Sequence, residues 1–137
     1  VCVNMLGEEL EHANNELQAQ MRTHISAGTI DKIQSAIVYL QQHLHKSTTL
    51  EDISYEVGLS ITKLKNDFKA QHGITLHTFY INELVGRVKD LLANTNMTID
   101  NIAHKFGYTR TGLTKLFKAT VGISPTTFRT EHQKKAR

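Results

Sequence analysis

The chain has 137 residues, a formal net charge of +3 and a single cysteine, Cys2. This length suits one domain of ordinary size or two very small ones, and no apolar run approaches the roughly 20 residues that span a bilayer. A membrane protein, an intrachain disulfide framework and a cysteine-rich zinc module are therefore excluded, and the lone cysteine fits a reducing, cytoplasmic setting.

One proline, eight glycines and many helix-forming residues predict an all-α protein. Residues 1–28 carry a net charge of −3, whereas the remaining residues carry +6. Apolar residues recur at helical spacing over 6–25: Leu6, Leu10, Ala13, Leu17, Met21 and Ile25. We interpret 1–28 as an acidic N-terminal linker helix, with a dimerisation seam as the alternative. Because the chain begins at Val1 without a signal peptide, we expect this helix to end a missing upstream domain.

The basic body, residues 29–137, is predicted to open with a helix capped by Thr29. The inner face of this helix is predicted from its apolar spacing: Ile30, Ile33, Ile37, Leu40 and Leu44. A basic body indicates a polyanionic partner.

An internal repeat organises this body. Residues 49–79 align with residues 98–128 at a constant offset of 49 without a gap, and 12 of the 31 pairs are identical. The identical pairs include Ile53/Ile102, Gly58/Gly107, Phe68/Phe117 and Phe79/Phe128. The protein therefore contains one structural unit twice.

Each unit has the local signals of a helix-turn-helix. A threonine caps a short helix, a glycine ends it, and a hydroxyl residue two positions later caps a longer helix that a second glycine stops. These residues are Thr49, Gly58, Ser60 and Gly73 in the first unit and Thr98, Gly107, Thr109 and Gly122 in the second. A short helix, a glycine turn and a longer helix together predict a helix-turn-helix.

A linker helix is predicted over 76–94, between the first unit (49–79) and the second (98–128). Its apolar residues keep a helical rhythm: Leu76, Phe79, Tyr80, Leu84, Val88, Leu91 and Leu92. About 18 residues at 1.5 Å each span roughly 27 Å, which is comparable to the roughly 34 Å between successive major-groove faces of B-DNA. The predicted fold is therefore two helix-turn-helix subdomains joined by a linker helix, about seven helices in all, plus the extra N-terminal helix.

The longer helix of each unit is the candidate recognition helix, because its apolar stripe leaves a polar side opposite. We predict base contacts from the residues near the middle of that side: Thr62, Lys65, Asn66, Thr111, Thr114 and Lys115. We predict phosphate contacts from the caps and flanking cations: Ser60, Lys63, Lys69, Thr109, Arg110 and Lys118. The tail cations Lys134, Lys135 and Arg137 are expected to add loose electrostatic attraction. The alternative is that these residues form an ordinary solvated face.

The chain from Ile30 onward resembles the two-helix-turn-helix DNA-binding domain of the AraC/XylS transcription regulators. The resemblance rests on residues 50–53 (LEDI), 58–60 (GLS), 68–69 (FK), 107–108 (GY), 122–125 (GISP) and 128–129 (FR). It implies a C-terminal domain that binds asymmetric promoter sites in two successive major grooves. It further implies a bacterial, cytoplasmic, nucleoid-associated regulator, usually an activator, with RNA polymerase as a further partner. Homodimerisation would go through the missing N-terminal domain.

Other classes of function find little support in the sequence. Eight histidines are present, but neither His43 and His45 nor His72 and His77 have metal-ligand spacing, so no metal or other cofactor is expected. Neither a nucleophile elbow nor a phosphate-binding P-loop motif occurs, so an enzyme is not expected. The alternatives that stay open are a helical scaffold for protein–protein interaction and a sequence-independent DNA-binding protein.

Overall fold

The computed structural model describes residues 27–136, with side chains described up to residue 133. In that part, seven helices follow one another without a strand, and none of them is long and apolar enough to cross a membrane. They are α1 (Ala27–Gln42), α2 (Leu50–Val57), α3 (Ile61–His72), α4 (Leu76–Asn94), α5 (Ile99–Lys105), α6 (Arg110–Val121) and α7 (Pro125–Ala136). The all-α fold with two helix-turn-helix units, α2–α3 and α5–α6, is confirmed. The predicted helix over 6–25 and the side chains of Lys134, Lys135 and Arg137 lie outside the described residues.

The start of α1 differs from its prediction. Gly28 is already helical, and Thr29 is buried in the first turn instead of capping it, so the predicted N-cap is wrong. An exposed glycine costs a helix only about 1 kcal/mol relative to alanine, so it does not stop a helix whose following turns are well packed. Ile30 was predicted on the inner face but is 37% exposed, and Leu44 is buried beyond the end of the helix at Gln42.

The capping residues of the repeat set the ends of its helices as predicted. The Thr49 hydroxyl accepts the Asp52 backbone N–H at 3.1 Å, and the Asp52 carboxylate accepts the Thr49 N–H at 3.0 Å, which makes a capping box. In the second unit, α5 ends one residue earlier than α2, with Phe106 as its C-cap. Gly107 follows with a φ of 79°, a left-handed conformation that only glycine adopts freely.

The repeat extends into a third helix of each unit. The hydroxyl of Thr75 accepts the Thr78 N–H before α4, and the hydroxyl of Ser124 accepts the Thr127 N–H before α7. Each third helix also sends a phenylalanine edge-to-face onto the recognition helix, with ring centroids 5.6 Å apart in both pairs: Phe68–Phe79 and Phe117–Phe128. The first turns of α4 and α7 are therefore structurally equivalent.

Helix α4 connects the two units through their common core. It packs against α1, α3, α5, α6 and α7. Leu84, Val88 and Leu92 are completely buried, and they belong to one apolar cluster that includes the cores of both units. The two units therefore share a single hydrophobic core.

The carboxyl end of α4 is held by side chains from α7. The guanidinium of Arg129 donates to the carbonyl oxygens of Leu92 at 3.1 Å, Thr95 at 3.2 Å and Leu91 at 3.5 Å. The Gln133 amide donates to the Leu92 and Thr95 carbonyls, at 3.1 Å each. The last carbonyls of a helix have no partner within that helix, so these donors satisfy groups that would otherwise need water. They attach α7 to α4.

Replacing Arg129 with alanine should lower the free energy of unfolding by about 2 kcal/mol, because partly buried carbonyl oxygens lose charged donors. The matched control is Arg87→Ala, which removes an exposed arginine from α4 itself and should change stability by less than about 0.5 kcal/mol. Urea unfolding followed by circular dichroism measures both. Equal losses in the two variants would contradict the role given to Arg129.

Candidate nucleic-acid interface

The two recognition helices, α3 and α6, have the same length and the same mode of attachment. Each has 12 residues and begins at a hydroxyl N-cap. The Ser60 hydroxyl accepts the Lys63 N–H at 3.2 Å, and the Thr109 hydroxyl accepts the Gly112 N–H at 3.0 Å. The inner side of each helix is completely buried through a leucine and a phenylalanine: Leu64 and Phe68, Leu113 and Phe117. The opposite side of each helix is thereby turned outward.

The predicted base contacts are exposed, with one exception. Thr62, Lys65 and Asn66 are exposed on α3, and Thr111 and Lys115 are exposed on α6. Thr114, the equivalent of Lys65, is only half-exposed. The second helix thus presents a shorter polar surface at this position than the first.

The predicted phosphate contacts are all exposed, but two are already in ion pairs. The residues are Ser60, Lys63, Lys69, Thr109, Arg110 and Lys118. The Lys63 ammonium lies 2.9 Å from the Asp67 carboxylate one turn later. Arg110 lies 3.8 Å from Asp100 of α5, with both side chains more than 60% exposed, so that pair is weak. A phosphate would have to compete with Asp67 for the Lys63 ammonium. The i, i+4 spacing of Lys63 and Asp67 is the sequence signal for their ion pair.

The two helices differ in their charge. α6 carries three cations, Arg110, Lys115 and Lys118, and no acidic residue. α3 carries three lysines together with Asp67. Both caps also leave a hydroxyl proton that can be donated to an acceptor, since the cap bond uses only the oxygen. Each helix therefore offers cations and a hydroxyl donor beside its first turn.

Gly112 sits at the third position of α6, where the first unit has Lys63. A methyl group added there would lie 3.1 Å from the Thr109 hydroxyl oxygen, tighter than an ordinary contact. Glycine is a weak helix former, but here its lack of a side chain leaves room for the Thr109 hydroxyl, to which its N–H donates.

The second unit also touches residues that flank the first unit on either side, through a contact that sequence reasoning missed. We call it the inter-unit contact: His45, Lys46 and Tyr80 on the first side meet Phe106, Gly107 and Tyr108 on the second. The Lys46 N–H donates to the Phe106 carbonyl at 2.8 Å, and the two tyrosine hydroxyls are hydrogen-bonded at 3.0 Å. The Lys46 ammonium also lies over the Tyr108 ring, 5.6 Å from its centroid.

Two of the histidines make local contacts with residues four positions earlier. His43 and His132 each bond the carbonyl oxygen four residues earlier, at 2.8 and 2.9 Å, and stack on the rings of Tyr39 and Phe128. Across the described residues, no group of three or more histidine, aspartate or glutamate side chains is arranged to hold a metal ion.

Comparison with known proteins decides the family. The model of a helix-turn-helix domain of the AraC/XylS type matches residues 53–131, more than half of the chain. The chain belongs to the AraC/XylS family. It is an AraC-type DNA-binding domain.

Relatives within the AraC/XylS family agree in sequence and in fold. The chain is 27% identical over 129 residues to an uncharacterised helix-turn-helix transcriptional regulator, YfiF of Bacillus subtilis, covering 94% of this chain and 40% of the relative. The C-terminal domain of AraT, a response regulator from Geobacillus stearothermophilus, superposes with a TM-score of 0.71 at 26% identity, covering 78% of this chain and 87% of that one. The DNA-binding domain of AdpA, solved in complex with a target DNA, has the same fold, with a TM-score of 0.69 at 19% identity over 75% of this chain and 94% of that one. The chain spans about two fifths of the length of the curated relative from Bacillus subtilis.

Replacing Tyr80 with phenylalanine should change how stability depends on pH. Burial raises the pKa of the Tyr80 hydroxyl well above its usual value, and the hydrogen bond to Tyr108 raises that pKa further. The unfolded chain loses this proton near pH 10, whereas the folded chain keeps it. Tyr80 therefore does not affect the pH dependence of the unfolding free energy below about pH 10, and it lowers that free energy as the pH rises above about 10.

Urea unfolding of the wild type and Tyr80→Phe between pH 8 and pH 11 tests this expectation. The variant should be less stable by about 1 kcal/mol at pH 8, because the hydrogen bond is lost, and the two curves should converge above pH 10. Parallel curves would show that the Tyr80 hydroxyl titrates normally.

Proposed function

We propose that this domain is the promoter-binding part of a bacterial transcription regulator, an activator, that reads two successive major grooves of one DNA site. The observation that carries the proposal is the pair of equivalent recognition helices, each packed through a leucine and a phenylalanine and each exposing threonine and lysine side chains, with Asn66 in addition on α3. The AdpA domain, which has this fold, was solved with a target DNA.

Sequence would be read by the middle of each exposed face. Asn66 can bond the N6 and N7 atoms of adenine together, and a lysine can reach the acceptors O6 and N7 of guanine. Thr62 and Thr111 offer a methyl group for thymine and a hydroxyl for other bases. Lys65, Thr114 and Lys115 complete the proposed set. Since Lys65 and Asn66 are replaced by Thr114 and Lys115 in the second unit, the two boxes of the site would differ in sequence.

The flanking cations would hold the phosphate backbone. Lys69 and Lys118 occupy equivalent exposed positions two turns into their helices, and Arg110 lies in the first turn of α6. Ser60 and Thr109 would donate hydrogen bonds from their hydroxyl groups to phosphate oxygens. The Lys63 ammonium would bind a phosphate after its ion pair with Asp67 is broken. These contacts position the protein but carry no sequence information.

The remaining parts of the proposal concern the whole regulator. Residues 1–28 would join this domain to a separate domain that senses a signal and supports homodimerisation, and RNA polymerase would be the partner in activation. A promoter as ligand implies a cytoplasmic, nucleoid-associated protein that acts by binding rather than by catalysis.

Two other functions compete with this proposal. A helical scaffold for protein partners would keep the fold without the cations, yet Lys65, Lys69, Lys115 and Lys118 are all exposed on the recognition helices. A sequence-independent DNA-binding protein would use the same cations but would not need the asparagine and threonine face. The exposed Asn66 therefore favours sequence-specific binding.

Selection of bound duplexes from a random DNA pool tests the proposal, followed by titration of the selected duplex against scrambled DNA at two salt concentrations. We expect an asymmetric motif of two boxes about 10 bp apart, bound at least about a thousandfold more tightly than scrambled DNA. Salt-sensitive binding to every duplex alike would indicate sequence-independent binding instead. Absence of binding would point to a protein partner.

Asn66→Ala and Lys69→Ala should affect binding differently. Losing Asn66 should cost about 1 to 3 kcal/mol on the selected site and relax the choice at one base pair. Losing Lys69 should weaken binding to all sequences alike and lower the slope of log affinity against log salt by about one. If both variants lost affinity uniformly, the division between base and phosphate contacts would be wrong.

Thr109→Asp should separate the capping role of this residue from its phosphate contact. Aspartate caps helices as well as threonine does, so the unfolding free energy should change by less than about 0.5 kcal/mol. DNA binding should weaken by about 1 to 3 kcal/mol, because the carboxylate repels the phosphate. Thr109→Asn is the control, since asparagine has the same shape and caps the helix without a charge. Equal DNA affinity of the two variants would place Thr109 away from the backbone.

A further inference from the structure

The inter-unit contact is not part of the internal repeat. Its residues have no repeat relation to one another: at an offset of 49, the equivalent of Tyr80 is Arg129, and the equivalent of Tyr108 is Leu59. The contact instead joins the segment between α1 and α2, together with the start of α4, to the turn of the second helix-turn-helix. Its role must therefore be sought in the relation between the units.

We propose that Tyr80 and Tyr108 are positioning residues that fix the separation of the two recognition helices and thereby set the spacer length between the two boxes of the DNA site. This inference rests on the proposed function.

Tyr108 lies beside the start of the second recognition helix. Tyr108 immediately precedes Thr109, the N-cap of α6, whose hydroxyl holds the Gly112 N–H. A group that fixes Tyr108 therefore fixes the first turn of the second recognition helix. The hydrogen bond to Tyr80 does this from α4, and the N–H of Lys46 does the same at Phe106, two residues earlier.

The second unit is attached to α4 by hydrogen bonds at two distant places. Arg129 and Gln133 hold α7 at the carboxyl end of α4, where they bond Leu92 and Thr95. Tyr108 meets α4 at Tyr80, 12 residues before Leu92. At 1.5 Å per residue the two attachments are roughly 18 Å apart along α4. Two attachments so far apart resist tilting of the second unit against α4 more strongly than core packing and one attachment alone.

Gly107 lies very close to the His45 side chain. A methyl group added to Gly107 would overlap the imidazole ring of His45. Gly73, at the end of the first recognition helix, has the same φ of 79°, but a methyl group added there would meet no atom within 4 Å. The backbone of the second turn thus lies close against the His45 ring, and the position favours glycine for space as well as for its φ.

A fixed separation has a consequence for binding. Two recognition elements that are already correctly placed bind both boxes without losing relative freedom, whereas a loose pair must be ordered on the DNA. Loosening the pair lowers affinity at the preferred spacing but makes other spacings less unfavourable. Binding of either unit to its own box alone is unaffected.

The experiment compares the wild type with Tyr108→Phe on the selected two-box duplex, on the same duplex with one base pair added to or removed from the spacer, and on each single box. We expect about fivefold weaker binding at the preferred spacing, unchanged binding to single boxes, and a spacer penalty at least about threefold smaller. Tyr80→Phe should reproduce this profile. An equal loss on single and paired boxes, or an unchanged spacer penalty, would overturn the proposal.

A second measurement examines the contact without DNA and so separates this proposal from the proposed function. The Lys46 amide donates across the contact, so its hydrogen exchange should be at least about tenfold faster in Tyr108→Phe and in Gly107→Ala than in the wild type. Gly73→Ala, which strains the same φ without pressing on a neighbour, should leave this rate unchanged. Fast exchange of Lys46 in the wild type would overturn the contact itself, whatever the DNA results. If Lys46 is protected but no sequence is selected, the failure lies with the proposed function.

Discussion

Helix α4 packs into the cores of two structural units at once, and the rest of the fold depends on this constraint. Its first turn is the third helix of the first unit, capped by Thr75 and packed on α3 through Phe79. Its middle and last turns supply Leu84, Val88 and Leu92 to a core shared with the second unit. A helix with burial along most of its length cannot rotate or shift without exposing apolar surface in one unit or the other. The two helix-turn-helix units are therefore parts of one body.

Local chemistry made much of this fold predictable from the sequence. Hydroxyl caps at Thr49, Ser60 and Thr109 and left-handed glycines after the helices depend only on a few neighbouring residues, so their signals are visible in the chain. Because the unit is repeated, each of these local signals occurs at equivalent positions in both copies. The same local rules failed at Thr29, where packing of the following turns keeps Gly28 helical and buries the threonine.

What the sequence could not indicate are the contacts that occur once and over long range. Arg129 bonds carbonyls 34 to 38 positions earlier, and Tyr80 meets a hydroxyl 28 positions later. The two residues occupy equivalent positions at the offset of 49 but make different contacts, because a connection between two copies cannot itself be repeated within each copy. The exposed faces of α3 and α6 were predictable from helical spacing, whereas the half-burial of Thr114 and the engagement of Lys63 by Asp67 needed the structure.

The fold holds the two recognition helices in one fixed relation before any ligand binds. The most direct test places spin labels at Ala70 and Ala119, equivalent exposed positions on α3 and α6 that are given no role in binding, after replacing Cys2 with serine. Pulsed dipolar spectroscopy of the free protein should give one narrow distance distribution, unchanged when the selected two-box duplex is added. A broad distribution in the free protein that narrows only on the duplex would show that DNA, and not the fold, arranges the two helices.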